Sequence, residues 1–421
     1  MALAALGLMG GVGAPAQAAE IKGEAKALNH ISAEECKSCH KDIYEQWKGS
    51  MHANSTALND PIHNAFYRQT VGDPLKEGEL AGAKKNEDGT VTGGSYPSCL
   101  NCHAPNAAID GKTKLDTMAS YAEGVNCVVC HSLKSYKGIN KPEGGLQLGI
   151  KAYEFSGDTL QGPGLPAAAA GKDAIEGLDG ISNPHLEPVK GTYLPLDAKA
   201  VQFRTNDACM GCHDKRNNGH GVPLCSTGDE VTSKVQCQSC HMSVTNGKSD
   251  HTMGGGHNMG MLRRSMVLSV DAVPAGDTIT TTVNMQNLQP HSMPTGAPFR
   301  NIFLKVSALD KDGKVVWESA KGHPMEDDPD AYLRLVLLDG DGKPTSPPMA
   351  KSRGADTRLQ PFEKRALVYS IPAPGVASIK AELFYNLLWP NLQAAMKEKM
   401  PEKLHGPLLS PQSFMQAETK L

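Results

Sequence analysis

Aromatic side chains make up only 5% of this 421-residue chain, and the apolar fraction is 39%. That is a thin supply for the cores of the two domains that its length suggests. Clustered basic charge is also missing. Lys and Arg are scattered, the formal net charge is −3, and nothing reads as a nucleic-acid surface. Beyond the first twenty residues no run approaches the ~20 apolar residues of a membrane span. The opening stretch, MALAALGLMGGVGAPAQAAE, is apolar and finishes in Ala16-Gln17-Ala18, the pattern of a secretory h-region with cleavage after Ala18. No Lys or Arg precedes Lys22, so the usual positive n-region is absent, and no cysteine stands at the cleavage point to take a lipid anchor. The expectation is a signal peptide over residues 1–18 and an exported mature protein, in the periplasm or at the cell surface and beyond.

Cysteine is what the chain has in pattern. C-x-x-C-H occurs five times: Cys36, Cys39 and His40; Cys99, Cys102 and His103; Cys127, Cys130 and His131; Cys209, Cys212 and His213; Cys237, Cys240 and His241. Two thiols at this spacing reach both vinyl groups of one porphyrin, and the next residue places an imidazole on the iron from the same side. C-x-x-C pairs also build zinc sites, but those need no histidine in fixed register, and here one follows every pair. Ten of the eleven cysteines are used this way, so five covalently bound haems c are expected. Each macrocycle is a large apolar plate, which answers the shortage of core-forming residues. Cys225 is left over, and a buried thiol is the plainest reading of it.

The motifs occupy a pentahaem domain expected over residues 19–262, made of short helices and loops. Cys99 to Cys127 and Cys209 to Cys237 are both 28 residues apart, which suggests a duplicated two-haem unit with the first haem alone. Ser32 to Glu35 reads as a capping box opening a helix that runs through Trp47 to Gly49. The stretch 137–200, rich in Gly, Pro and Ala, reads as a long loop. After Met261 the pattern changes to seven short strand-like runs between Ser265 and Leu388, with Asp312-Gly313 as a hairpin turn. An immunoglobulin-like β-sandwich is expected over 263–390, then a tail over 391–421 with a helix from Asn391 to Met400. The DGDGKP segment at 339–344 lacks the ligand set of a calcium loop and reads as a turn.

The sequence CKSCHKDIYEQWKGSMHA, and CLNCH followed by GVNCVVCH, resemble the multihaem cytochrome c family typified by the tetrahaem electron acceptor of hydroxylamine oxidoreductase. The likeness covers residues 33–131 well and weakens through the fourth and fifth motifs. HSMPTGAPFRN at 291–301 is similar to a His-x-x-Pro-Thr-Gly segment in the sandwich appended to many bacterial multihaem cytochromes. The resemblance implies a protein that moves electrons. Some relatives carry one haem with an open sixth position, and some distant ones form extracellular filaments.

Function then turns on the second axial ligand. Two imidazoles make a low-potential relay, a methionine raises the potential, and an empty position permits chemistry. Ten histidines lie outside the motifs, enough for five. His52 matches the family's Trp-x-x-Ser-x-His-Ala ligand and stands far enough from His40 to serve a neighbouring haem. His185, His220 and His251 follow as candidates, with His257, His63 and His291; the last would pin the β domain to the haem stack. His30, His323 and His405 read as surface residues, and Met242, Met253 and Met259 as packing on porphyrin faces.

Three functions compete. The first is electron transfer between a donor and an acceptor protein, with no catalytic residue. The second is reduction or oxidation of a small nitrogen or sulfur oxyanion at one open haem, best placed on Cys99 and Cys102 by position in the family. No motif ends in lysine as in pentahaem nitrite reductases. The third is a homo-oligomeric conducting filament.

Overall fold

The structure is a computed structural model that describes residues 26–78, 81–85, 91–163, 185, 194–231, 234–245, 247–398 and 410–421. The expected signal peptide and His405 lie outside the described residues. No described helix is long and apolar enough to cross a membrane.

The first half is built from short pieces, none longer than the ten-residue helix Pro61–Thr70 among the described residues. Its apolar packing is correspondingly divided. One cluster gathers Ala57, Tyr67, Leu100, Ala104, Ala107, Leu115 and Tyr121. A second holds Ala33, Tyr44, Trp47 and Ala53, and a third Leu133, Ile139, Ala152 and Tyr153. Within the expected loop 137–200, Tyr153–Phe155 pairs with Leu133–Tyr136, and Leu160–Gln161 pairs in parallel with Leu196–Asp197.

The second half has one continuous core under two antiparallel sheets. Met266–Ala275, Thr278–Asn287 and Lys364–Pro372 form the first. In the other, Asn301–Leu309 lies between Val315–Glu318 and Ser378–Asn386. Asn301–Leu309 is buried almost throughout, as a strand covered on both faces must be. The turn after it is the expected one, with Gly313 at φ 79° and Asp310 accepting from the Asp312 and Lys314 amides. DGDGKP is also a turn, in which Asp339 accepts from the amides of Asp341 and Lys343.

Three features depart from the sequence reading. The run AYLRLVLL is split at Arg334: Tyr332–Leu333 joins the larger sheet, while Leu335–Leu338 pairs with Ser352–Asp356. The expected tail includes a strand, Gln412–Lys420, paired along Ser378–Asn386. Only Phe414 in it is buried, so main-chain pairing at a sheet edge carries a segment whose side chains give little signal. The helix ahead of it spans Pro390–Lys397.

The helix Pro61–Thr70 joins the halves. Asp60 caps it through the Ile62 and His63 amides, and proline fills its first turn. Ile62 and Ala65 enter the β core and Phe66 meets Phe299 at 5.9 Å, whereas Tyr67 enters the second motif's cluster. Leu304, 0% exposed at the centre of the β core, gives a direct test. Leu304→Ala is expected to lower stability by about 2–5 kcal/mol, read as a shift in the urea midpoint of far-UV circular dichroism.

Candidate haem sites

Four motifs sit on single helical turns: Leu100–His103, Cys127–His131, Asp207–His213 and Cys237–His241. Residues three and four apart share a helix face, so both sulfurs and the imidazole of a motif point one way. The first motif differs from the single helix expected. Ala33–Lys37 ends inside it, His40 leaves the helical region at φ −112°, ψ 43°, and a second helix runs Lys41–Lys48 with Gly49 at its end.

The residues that carry the family likeness hold motifs together. The capping box at Ser32 forms as expected. Glu123 accepts from the Ser32 hydroxyl (2.6 Å) and the Ala33 amide (2.8 Å), and Asn126 donates to the Ile31 carbonyl (3.1 Å), fastening the first motif to the third. The Trp47 indole donates to the Val125 carbonyl (2.8 Å), and the Val125 amide donates to the His52 carbonyl (2.9 Å). Gly124 must be glycine: its φ is +65°, and a Cβ would stand 2.3 Å from the His52 carbonyl oxygen. Gly211 is constrained inside the fourth motif, where a Cβ would lie 2.3 Å from the Tyr153 ring.

Imidazole binds first-row metals at about 2 Å, so two rings across one iron have centres about 6 Å apart. His40 and His185 stand 6.0 Å apart with planes 12° from parallel, and His213 and His52 stand 6.0 Å apart at 38°. His251 lies close enough to His131 for its charge to disfavour protonation there, after burial has done so, and His241 acts likewise on His291. His63 and His103 are closer, at 4.1 Å.

Most of these rings are held the same way, by Nδ1 on a backbone carbonyl. The partners are Ser55 for His103 (3.0 Å) and His63 (2.9 Å), Gln161 for His131 (2.9 Å) and Leu194 for His185 (2.9 Å). Gly254 serves His241 (2.6 Å), Ser249 serves His251 (2.8 Å) and Ser292 serves His291 (3.0 Å). His52 places Nδ1 on the Met253 sulfur at 2.6 Å, and Met253 adopts a left-handed φ of 46° to present it. Nε2 is thereby left for a metal, the arrangement by which outer partners fix a ligating ring. The Nε2 of His63 is buried without a hydrogen-bond partner in the structure, and an iron is the partner such a nitrogen suits.

Desolvation lowers the pKa of His52 to about 4 and that of His213 to about 3. His40, His63, His103, His131 and His291 move down for the same reason. His40 and His213 are nonetheless reached by solvent. All these imidazoles are neutral at pH 7, with a lone pair to donate.

The remaining histidines stand apart from the motifs. His220 is exposed, with both ring nitrogens on the Lys351 ammonium at 2.9 and 3.3 Å. His257 is shifted down to about 4 by burial and then by Arg300, with no motif histidine among those influences. His30 binds Asp110 at 2.7 Å. His323 caps the helix Pro324–Asp327. Cys225 sits beside the Thr227 hydroxyl at 3.3 Å.

Thiols of different motifs meet. Cys36 reaches Cys127, Cys102 reaches Cys212, and Cys209 reaches Cys237. Only Cys39 and Cys240 are exposed.

Five thiol pairs, each with an adjoining histidine and a second imidazole near it, define a multihaem c-type cytochrome. The family model for cytochrome c554 and c-prime matches residues 35–132 and 189–242. A solved structure, the penta-heme cytochrome c552 from Thermochromatium tepidum, is 49% identical, with a TM-score of 0.81 over 94% of this chain and 100% of that one. No curated protein matches the chain significantly. The chain belongs to the multihaem c-type cytochromes and carries five covalently bound haems c. Gly124→Ala is expected to destabilise the holoprotein by about 1–3 kcal/mol through backbone strain. Comparing denaturant midpoints with wild type, at equal haem content, checks this.

Proposed function

We propose that this protein is an exported electron carrier, in which the ten motif cysteines hold the haems and most irons sit between two histidines. Its pairs are His40 with His185, His131 with His251, His213 with His52, and His241 with His291; His103 has His63 beside it. The observation that carries the reading is the 6.0 Å spacing of two of these pairs, which matches imidazoles on opposite faces of one iron. When bound, each haem supplies a one-electron couple. The residues around it position it, and burial keeps the imidazoles of His52, His63, His103 and His131 neutral.

The meeting thiols give the order of the wire, because a thioether sulfur is bonded at the porphyrin edge. The first site adjoins the third, and the fourth adjoins the second and fifth. Cys130 is near enough to act electrostatically on Cys209 and Cys212, which supports an order with the third site beside the fourth. Electrons then pass first to third to fourth to fifth, with the second as a branch. The exposed Cys39 and Cys240 put the contacts with donor and acceptor proteins at the first and fifth sites. On this reading residues 19–262 are the haem domain and 263–390 an immunoglobulin-like sandwich to which Gln412–Lys420 adds an edge strand, and His291 ties that half to the fifth haem.

A second reading rests on the 4.1 Å pair. His63 lies against His103 too closely for an iron between the rings, so the haem on Cys99 and Cys102 is the one where a small nitrogen or sulfur oxyanion could bind. Low-temperature EPR of the oxidised protein separates the readings. The carrier is expected to give low-spin signals that added nitric oxide leaves unchanged. A high-spin component of about one haem in five, shifted by that ligand, would establish the open site instead. His185→Met is expected to raise the potential of one haem and leave the other four in place, read in a redox titration.

A further inference from the structure

One histidine pair is held unlike the others. At the first, second, third and fifth sites at least one ring of the pair places Nδ1 on a backbone carbonyl oxygen. At the fourth site neither ring does. The His213 ring makes no hydrogen bond among the described residues. His52, 6.0 Å from it, has the Met253 sulfur against Nδ1. A thioether is a weak acceptor beside a carbonyl or an amide oxygen.

The sulfur is held in that place by its surroundings. Met253 takes a φ of 46°, in the left-handed region that a methionine seldom enters, and packs against Ala33, Tyr44, Trp47 and Ala53. Its segment is fixed on both sides. Ahead of it the His251 amide donates to the Gln46 side chain (2.9 Å), and Asp250 accepts from the Thr252 amide (2.8 Å) and hydroxyl (2.9 Å). Behind it the Gly254 carbonyl holds His241. His52 is anchored separately, since its carbonyl accepts from the Val125 amide (2.9 Å) and the Ser55 hydroxyl (3.1 Å). The placement of the ring therefore does not depend on the sulfur alone.

We propose that Met253 is a positioning residue that sets the potential of the fourth haem, acting through His52. An acceptor on the Nδ1 proton makes an imidazole a more basic ligand, which favours the oxidised iron. Sulfur does this less than a carbonyl oxygen does, so it keeps the fourth haem easier to reduce than an oxygen partner would. Reduction adds one electron at iron; no bond breaks, and the Nδ1 proton stays on His52. The fourth site is the junction of the wire, so the sulfur favours an electron resting where the branch departs. This inference rests on the pairing of His213 with His52 proposed above.

The test is a redox titration of the holoprotein followed by visible absorbance and EPR. His52→Met first marks the fourth haem as the one whose potential rises. Met253→Gln offers an amide oxygen and is expected to lower the reduction equilibrium constant of that haem about tenfold, about 59 mV for a one-electron couple. Met253→Leu offers no acceptor and is expected to raise it about threefold. Neither variant moves the other haems. A side chain that only packs would shift both variants in one direction, or neither. Shifts of one sign, no shift in the glutamine variant, or a shift at another haem would overturn the proposal. If Met253→Gln does not mature, Met253→Leu decides: a rise supports the role of the sulfur, and a fall or no change overturns it. If His52→Met moves no haem, the pairing beneath the inference fails instead.

Discussion

An imidazole presents its metal-binding nitrogen in a useful direction only when the rest of the ring is held, and here backbone carbonyls do most of the holding. Ser55 serves both His63 and His103, Gln161 serves His131, and Gly254 serves His241. Ser55 and Gly254 belong to loops and Gln161 to a two-residue strand, so each segment must be fixed before its ring is fixed. The haem half meets that demand with polar ties more than with apolar packing: Glu123 and Asn126 grip the first motif, and Trp47 and Val125 grip the His52 loop. A chain poor in aromatic residues can work this way because the cofactor brings the apolar surface.

The β half follows the opposite rule, with one core and strands that bury alternate or all side chains. Where the halves meet, both kinds of contact appear. Arg358, 6% exposed, bridges Glu230 of the haem half (2.9 Å) and Asp356 of the β half (2.7 Å). Asn218 donates to the Pro347 and Ala350 carbonyls, and Val222 packs with Leu337 and Ala350. Asn287 donates to the carbonyls of His291, Leu359 and Gln360, so a β-half residue fixes the loop that carries His291. A buried ion pair contributes little net stability, but removing one partner is costly, which suits a seam that must not slide.

Much of this could be read in the sequence because it depends on short covalent patterns. The five motifs, the capping box at Ser32, the turn at Asp312-Gly313 and most strands follow from local spacing. The pairing of histidines did not, since His52 meets a motif far along the chain and His185 stands in a loop without periodicity. His220 looked as suitable as His185, and only its exposed contact with Lys351 tells them apart. Gln412–Lys420 escaped because an edge strand is specified by its neighbour's backbone, and Ser352–Asp356 because it has no β-branched residues.

The helix Pro61–Thr70 has two audiences. Ile62, Ala65 and Phe66 are embedded in the β half, while His63 and Tyr67 face the second haem site. A helix of this length is a stiff rod of about 15 Å, too short to bend away a displacement imposed on one side. Any strain applied to the sheets therefore arrives at His63 as a movement of its ring against His103. The β half is thus mechanically geared to the two imidazoles that stand only 4.1 Å apart.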